Sequence, residues 1–131
     1  MDLHPQSIQL RLASEPSASA AVRYKLDEFG LPAGVMDRAR LLASELVSNS
    51  VRHAGAGPTA PISVTVEIDR DRLRVSVDDV GHGDVRVRPE EVREAGSGYG
   101  LFIVESLSDR WGTYRRPDGT TVWFELDLET G

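Results

Sequence analysis

The sequence of 131 residues contains no cysteine. Disulfides, thiolate metal sites and a cysteine nucleophile are therefore excluded. Long apolar runs are absent too: residues 1–12 alternate polar and apolar side chains, and no later segment has the length needed to span a membrane. Such a chain suits a reducing cytoplasm, and we expect a soluble, cytoplasmic protein that is neither exported nor attached to a membrane.

An excess of positive charge is also missing. The 15 Lys and Arg residues are outnumbered by 21 Asp and Glu residues, which gives a formal net charge of −6. Proteins that hold the phosphate backbone of nucleic acids depend on the opposite balance. We therefore expect no direct binding to nucleic acid. A length of 131 residues with 40% hydrophobic content allows one core but not two, which predicts a single domain over residues 1–131.

The hydrophobic pattern of the first half predicts one strand and two helices. Apolar and polar residues alternate over residues 8–12, which indicates a half-buried strand at the edge of a sheet. Helical spacing follows over residues 18–29, with Ser17 as the expected N-cap and Gly30 as the stop signal, and again over residues 35–54.

The second half predicts two hairpins with a helix between them. Strict alternation over residues 62–68 and 73–77 indicates the first hairpin, and residues 111–115 and 122–128 flank a second turn. Residues 78–100 are rich in glycine and charge and lead into a third helix. The order β-α-α-β-β-loop-α-β-β predicts an α+β fold of two layers, in which helices cover one face of a mostly antiparallel sheet.

Three polar residues recur along the second predicted helix at positions i, i+4 and i+8. Glu45, Asn49 and His53 differ by only about 40° from one to the next, so they form one row that faces one place. Ser44 and Ser48 fall on another side, where a solvated face is expected. Alternatively, Glu45 and Asn49 extend that solvated face, and the helix alone does not decide between the two.

A second polar segment follows the third predicted strand. Asp79 at the strand end can accept a hydrogen bond from the exocyclic amine of a base, and Gly81 and Gly83 permit a close approach of the ligand. The alternative is an ordinary turn that ends the strand.

A third segment, Gly-Tyr-Gly-Leu over residues 98–101, opens the third predicted helix. Glycines before a helix let backbone N–H groups turn toward an anion, and the helix dipole favours phosphate there. The spacing is not that of the dinucleotide fingerprint, no βαβ unit surrounds it, and the sequence has no P-loop motif. A flexible loop is the alternative.

Taken together and in this order, the segments resemble the ATP-binding motifs of the superfamily that joins DNA gyrase, histidine kinases, heat-shock chaperones and mismatch-repair ATPases. Residues 45–54 resemble its N box, residues 79–83 its Asp-x-Gly-x-Gly box, residues 98–101 its second glycine box and residues 119–121 its last threonine element. The resemblance implies the histidine-kinase-like ATPase fold, with a mostly antiparallel mixed sheet covered on one face by three helices. It also implies an ATP lid at about residues 84–96.

Within that superfamily, the compact size and the segments Glu-Leu-Val-Ser-Asn and Thr-Val-Trp-Phe-Glu-Leu are most similar to bacterial anti-sigma factor serine/threonine kinases. The similarity implies a homodimer that binds a sigma factor and phosphorylates a serine or threonine of an anti-anti-sigma antagonist, and so regulates transcription. Two alternatives remain open: a non-catalytic ATP-binding interaction module, and a detached histidine-kinase catalytic domain.

The resemblance also assigns roles along the predicted helix that carries the N box. Asn49 would hold Mg²⁺ through its amide oxygen, and Glu45 would act as the general base for the attacking hydroxyl. Arg52 and His53 match an Arg-His pair of the family. His53 is expected either to contact the nucleotide or to be a buried residue at the helix end.

The remaining roles concern the base and the phosphates of ATP. Asp79 would bind the adenine amine, Gly81 and Gly83 would shape its pocket, and Thr121, or alternatively Thr120, would lie below the adenine. Backbone contacts to the phosphates are assigned to Gly98, Tyr99, Gly100 and Leu101. ATP and Mg²⁺ are thus the cofactors that the resemblance implies.

Overall fold

The computed structural model describes residues 5–53, 61–79 and 98–128. The elements are, in chain order, β1 Gln6–Ala13, α1 Ser17–Asp27, α2 Ala33–His53, β2 Pro61–Ile68, β3 Arg72–Asp79, α3 Gly98–Leu107, β4 Arg110–Arg116 and β5 Gly119–Asp127. The predicted order of strands and helices is confirmed. Gly81, Gly83 and the predicted lid at 84–96 lie outside the described residues, so those predictions stay predictions.

The five strands form one sheet in the order β1-β2-β3-β5-β4. Each neighbouring pair is antiparallel, so no parallel pairing occurs among the strands of the described ranges. β1 lies at one edge, as the alternation in its sequence predicted, and β4 lies at the other. The predicted α+β architecture is confirmed, with a sheet that is antiparallel in every pair described.

One face of the sheet carries the core. Val66 lies opposite Val75, and Val75 lies opposite Phe124, so one apolar row crosses the three central strands. α2 packs against all three of these strands, while α1 and α3 pack on either side of α2. Each large side chain buried in this layer contributes about 1.5–3 kcal/mol. The fully buried side chains of the helices are Val22, Leu26, Ala39, Leu42, Ala43, Leu46, Val47 and Val104.

Two local predictions about the helices were wrong. Pro16, not Ser17, occupies the N-cap of α1, and no side chain caps that end. Ser17 is instead the first helical residue, and its hydroxyl donates to the Glu15 carboxylate at 3.2 Å. The sequence rule for a cap cannot tell apart two adjacent positions when a proline, whose fixed φ suits a helix start, precedes the serine.

The serines of α2 do not form a solvated face. Ser48 Oγ shares a hydrogen bond of 2.9 Å with Ser19 Oγ of α1, and Arg23 Nη1 donates to Ser44 Oγ at 2.9 Å. This side of α2 is therefore a polar contact with α1. Periodicity identified the stripe as polar, but only packing shows that a second helix supplies its hydrogen-bond partners. No helix in the described ranges combines the length and the apolar character required to cross a bilayer.

Candidate functional site

The end of β3 meets the beginning of β5 at the edge of the helix-covered face. Asp79 is the last residue of β3, alternates with the core residue Val77, and is only 3% exposed. It lies opposite Thr120, whose backbone N–H donates to Asp79 Oδ1 at 3.3 Å. A carboxylate is thus held at the strand end on the same side of the sheet as the helices.

Gly119 allows this close meeting of the two strands. A Cβ at Gly119 would lie 1.8 Å from the carbonyl oxygen of Asp79, far inside van der Waals contact. Any other residue would push β5 away from the end of β3. The glycine of the predicted threonine element is therefore required by the distance between the backbones.

The two threonines after Gly119 lie on opposite faces of the sheet. Thr120 shares the face of Asp79, because directly opposite residues of paired strands point to the same side. Thr121 points the other way, where its hydroxyl donates to Asp78 Oδ1 at 2.5 Å. The family resemblance implied Thr121, or alternatively Thr120, as the neighbour of the adenine. The structure instead brings Thr120 beside the Asp79 carboxylate and places Thr121 behind it.

Arg116 is a residue of this edge that the sequence did not reveal. Its Nη2 donates to the Asp79 carbonyl oxygen at 2.8 Å, and its Nε donates to Thr121 Oγ1 at 2.9 Å. Nη1 donates to the Asp118 carboxylate at 2.9 Å. In the sequence, Arg116 is only a basic residue before a turn. Its role follows from the register of β4, β5 and β3, which no local pattern encodes.

The row predicted on α2 contains a buried amide with an unsatisfied oxygen. Asn49 is 3% exposed, and its Oδ1 has no hydrogen-bond partner among residues 5–53, 61–79 and 98–128. Leaving such a group unpaired costs about 1–3 kcal/mol, so it calls for an explanation. Glu45 lies one turn before it and is half-buried. An amide oxygen held in this way suits a hard cation such as Mg²⁺, which prefers oxygen ligands.

The other predicted site residues are placed by backbone alone. His53 is the last residue of α2, directly after Arg52, and residues 98–101 form the first turn of α3. The N–H groups of a first helical turn have no partner within the helix and point toward whatever lies beyond it. The helix α2, which carries Glu45 and Asn49, packs against β3, β5 and α3, so it contacts each of the other elements that hold predicted site residues.

A second cluster of charges lies on the hairpin of β4 and β5, at the end away from its turn and on the sheet face that the helices leave uncovered. The Glu125 carboxylate accepts hydrogen bonds from Arg110 Nε at 2.7 Å and Arg74 Nη1 at 3.0 Å, and Arg72 Nη1 lies 3.5 Å away. Burial raises the pKa of Glu125, but the hydrogen bonds from Arg110 and Arg74 outweigh it and leave the pKa below its usual value. Arg74 also lies over the ring of Trp123, 4.2 Å from its centroid.

Comparison with solved structures supports the fold. The crystal structure of the RsbU and RsbW domains of Rv1364c from Mycobacterium tuberculosis superposes with a TM-score of 0.71 at 22% sequence identity. The match covers 94% of this chain but 32% of that one, so the chain spans about a third of the length of the protein it resembles. No curated protein sequence matches the chain.

A family model covers nearly the whole sequence. The model for the histidine kinase-like ATPase domain matches residues 8–126, from the third residue of β1 to the next-to-last residue of β5. The matched range includes the row on α2, the Asp79 edge and the first turn of α3. ATP is the ligand that an ATPase domain implies. The chain therefore belongs to the histidine kinase-like ATPase domain family.

Proposed function

We propose that this protein is a Mg-ATP-dependent anti-sigma factor that phosphorylates a serine or threonine of an anti-anti-sigma antagonist. The observation that carries the catalytic part is the pair on α2: a buried Asn49 whose amide oxygen has no partner among the described residues, one turn after a half-buried Glu45. A metal ligand and a general base are needed close together for transfer of a phosphoryl group to a hydroxyl.

The adenine part of the proposed site is the meeting point of β3 and β5. The Asp79 carboxylate would accept a hydrogen bond from the adenine amine, and Thr120, which shares its face, would lie beside the base. We propose Thr120 for this place rather than Thr121. Gly81 and Gly83 would complete the pocket, and His53 at the end of α2 would be a further nucleotide contact.

The phosphate part of the proposed site is the first turn of α3. The backbone N–H groups of Gly98, Tyr99, Gly100 and Leu101 would bind phosphate oxygens, which the positive end of the helix dipole favours. Asn49 would supply the protein's oxygen ligand to Mg²⁺. When bound, the metal neutralises charge on the phosphate oxygens. Glu45 would hold the attacking hydroxyl in line and accept its proton.

The regulatory part of the proposal rests on likeness. The solved structure that superposes on this chain includes an RsbW domain, and the sequence motifs resemble those of anti-sigma factor kinases. By that likeness, the partners are a sigma factor and an anti-anti-sigma antagonist, and the working form is a homodimer. A non-catalytic ATP-binding module would use the same nucleotide contacts without needing Glu45.

Two substitutions one turn apart test binding and catalysis separately. Asn49→Ala should weaken Mg-ATP binding, because it removes the metal's amide ligand. Glu45→Ala should leave binding largely intact and slow phosphorylation of the antagonist by about 10²–10⁴-fold, the usual loss for a general base. Calorimetry measures the first effect, and transfer of labelled phosphate to the antagonist measures the second.

Ser48→Ala is the matched control, since Ser48 is next to Asn49 in the chain but bonds to Ser19 of α1. It should change neither binding nor transfer. A Glu45→Ala variant that transfers phosphate at the wild-type rate would favour the non-catalytic module. Transferred phosphate that is lost in acid would indicate phosphohistidine and hence the catalytic domain of a histidine kinase.

A further inference from the structure

We propose that Arg116 is a positioning residue for the adenine-binding edge, acting through the backbone of Asp79 from the face of the sheet opposite to the Asp79 carboxylate. The inference rests on the proposed ATP site and deepens it, because it names the group that sets base selectivity without touching the base. It assigns a task to a side chain that bonds to the Asp79 carbonyl, the Thr121 hydroxyl and the hairpin turn together.

The guanidinium of Arg116 connects strands that are not neighbours. Arg116 ends β4, and Asp79 ends β3, while β5 lies between the two strands. The bond of 2.8 Å from Nη2 to the Asp79 carbonyl oxygen therefore reaches across the whole width of β5. The planar fork of an arginine can serve several acceptors in one fixed orientation, which a lysine ammonium cannot do.

A hydrogen bond to the Asp79 carbonyl is well placed to orient the Asp79 side chain. Among the described residues, Asp79 opposite Thr120 is the last pair of the ladder between β3 and β5, so the Asp79 carbonyl lies at the end of the described part of β3. A hydrogen bond to this carbonyl fixes the plane of the peptide bond, and with it the direction in which the Asp79 side chain leaves the backbone. The carboxylate must lie within a fraction of an ångström of its place to pair with one amine.

Two neighbours hold the guanidinium in turn. Arg116 Nε donates to Thr121 Oγ1 at 2.9 Å, and the Thr121 hydroxyl donates onward to Asp78 Oδ1, which lies 3.8 Å from Arg116 Nε. We call Asp78, Arg116 and Thr121 the rear brace, since all three lie behind the Asp79 carboxylate. Thr121 is buried, at 1% exposed, and the side chains of Arg116 and Asp78 are partly buried, at 25% and 31% exposed.

Gly119 leaves the space that the brace needs. A Cβ at this position would lie 3.0 Å from Arg116 Nη2 as well as 1.8 Å from the Asp79 carbonyl oxygen. The same absence of a side chain thus lets the strands meet and lets the guanidinium reach the carbonyl. Arg116, Gly119 and Asp79 act as one unit in which the first two determine where the third points.

Arg110 provides a matched control on the same strand and the same face. It bonds to Glu125 at 2.7 Å and to the Asp127 carboxylate, so it also ties β4 to β5. It lies at the opposite end of β4, about 20 Å from Arg116 at the usual rise per residue of a strand. Removal of either arginine takes ion pairs away from the sheet. Of the two, Arg116 contacts the Asp79 peptide and Arg110 does not.

The test is calorimetric titration of Mg-ATP and Mg-GTP into the wild-type protein, Arg116→Ala, Arg116→Lys and Arg110→Ala, with the melting temperature recorded for each. Arg116→Ala should weaken Mg-ATP binding about 10-fold and reduce the preference for ATP over GTP, because a displaced Asp79 affects the base and not the phosphates. For Arg116→Lys, both the Mg-ATP affinity and the preference for ATP over GTP should lie between those of Arg116→Ala and of the wild type. Arg110→Ala should lower the melting temperature yet keep both the affinity and the preference.

The outcomes separate this inference from the proposed function. Absence of Mg-ATP binding by the wild type would overturn both. Wild-type affinity and selectivity in folded Arg116→Ala would overturn the positioning role alone, as would an equal loss for ATP and GTP, which a merely structural role predicts. If Arg116→Ala does not fold, Arg116→Lys decides, and wild-type selectivity in that variant overturns the inference.

Discussion

At the scale of single residues, Gly119 has little freedom to change. A methyl group there would overlap the Asp79 carbonyl oxygen, so Gly119→Ala must push β5 away from β3. We expect a loss of about 1–3 kcal/mol in the free energy of unfolding, the usual cost of overpacking, together with weaker Mg-ATP binding. Urea denaturation measures the first and calorimetry the second.

Gly34→Ala is the control for that substitution. Gly34 lies near the start of α2, and a Cβ there would meet nothing within 4 Å. Alanine also has the higher helix propensity, so this variant should be as stable as the wild type or slightly more stable. Equal unfolding midpoints for the two glycine variants would show that the strands can separate at Gly119 without cost.

At the scale of the elements, Glu125 joins three strands. Arginines of β3 and β4 converge on this β5 carboxylate, whose side chain is only 6% exposed, and their hydrogen bonds keep its pKa below the ordinary value of 4.5 although burial raises it. A carboxyl with a depressed pKa in the folded state contributes stability that is fully present above its unfolded pKa and is lost as the pH falls through the folded one.

The free energy of unfolding of the wild type should therefore fall as the pH drops below 4.5, and Glu125→Gln should show a shallower fall. At neutral pH the variant should be less stable by about 1–2 kcal/mol, a figure reduced for the solvent around the half-exposed arginines. Urea denaturation at a series of pH values measures both effects. Glu105→Gln removes an exposed charge on α3 and should keep the wild-type slope. Parallel plots of unfolding free energy against pH for the wild type and Glu125→Gln would refute the lowered pKa of Glu125.

At the scale of the whole molecule, the proposed regulatory role needs two copies of the chain. Symmetric pairing is also the commonest assembly of small soluble proteins. We expect light scattering to give twice the monomer mass of 14.3 kDa at micromolar concentration and above. A monomer at every concentration, with and without Mg-ATP, would count against the anti-sigma function and would leave ATP binding unaffected.

The sequence by itself determined the order of the elements and the types of chemical group at the site. Alternating apolar residues predict strands and a period of 3.6 predicts helices. The reason is that successive side chains point to opposite faces of a strand, whereas in a helix the same face returns every 3.6 residues. The spacing of Glu45 and Asn49 was likewise readable, since four residues make about one turn of a helix. These features depend only on neighbours along the chain.

Tertiary structure decided which face and which partner each residue has. The sequence could not place Thr120 rather than Thr121 beside Asp79, since a shift of one residue in the register of β3 and β5 exchanges their faces. It gave no sign that Arg116 bonds to the Asp79 carbonyl, or that Ser48 pairs with Ser19. Each of these contacts joins residues that are distant along the chain, so it exists only once the sheet and the helix pair have formed.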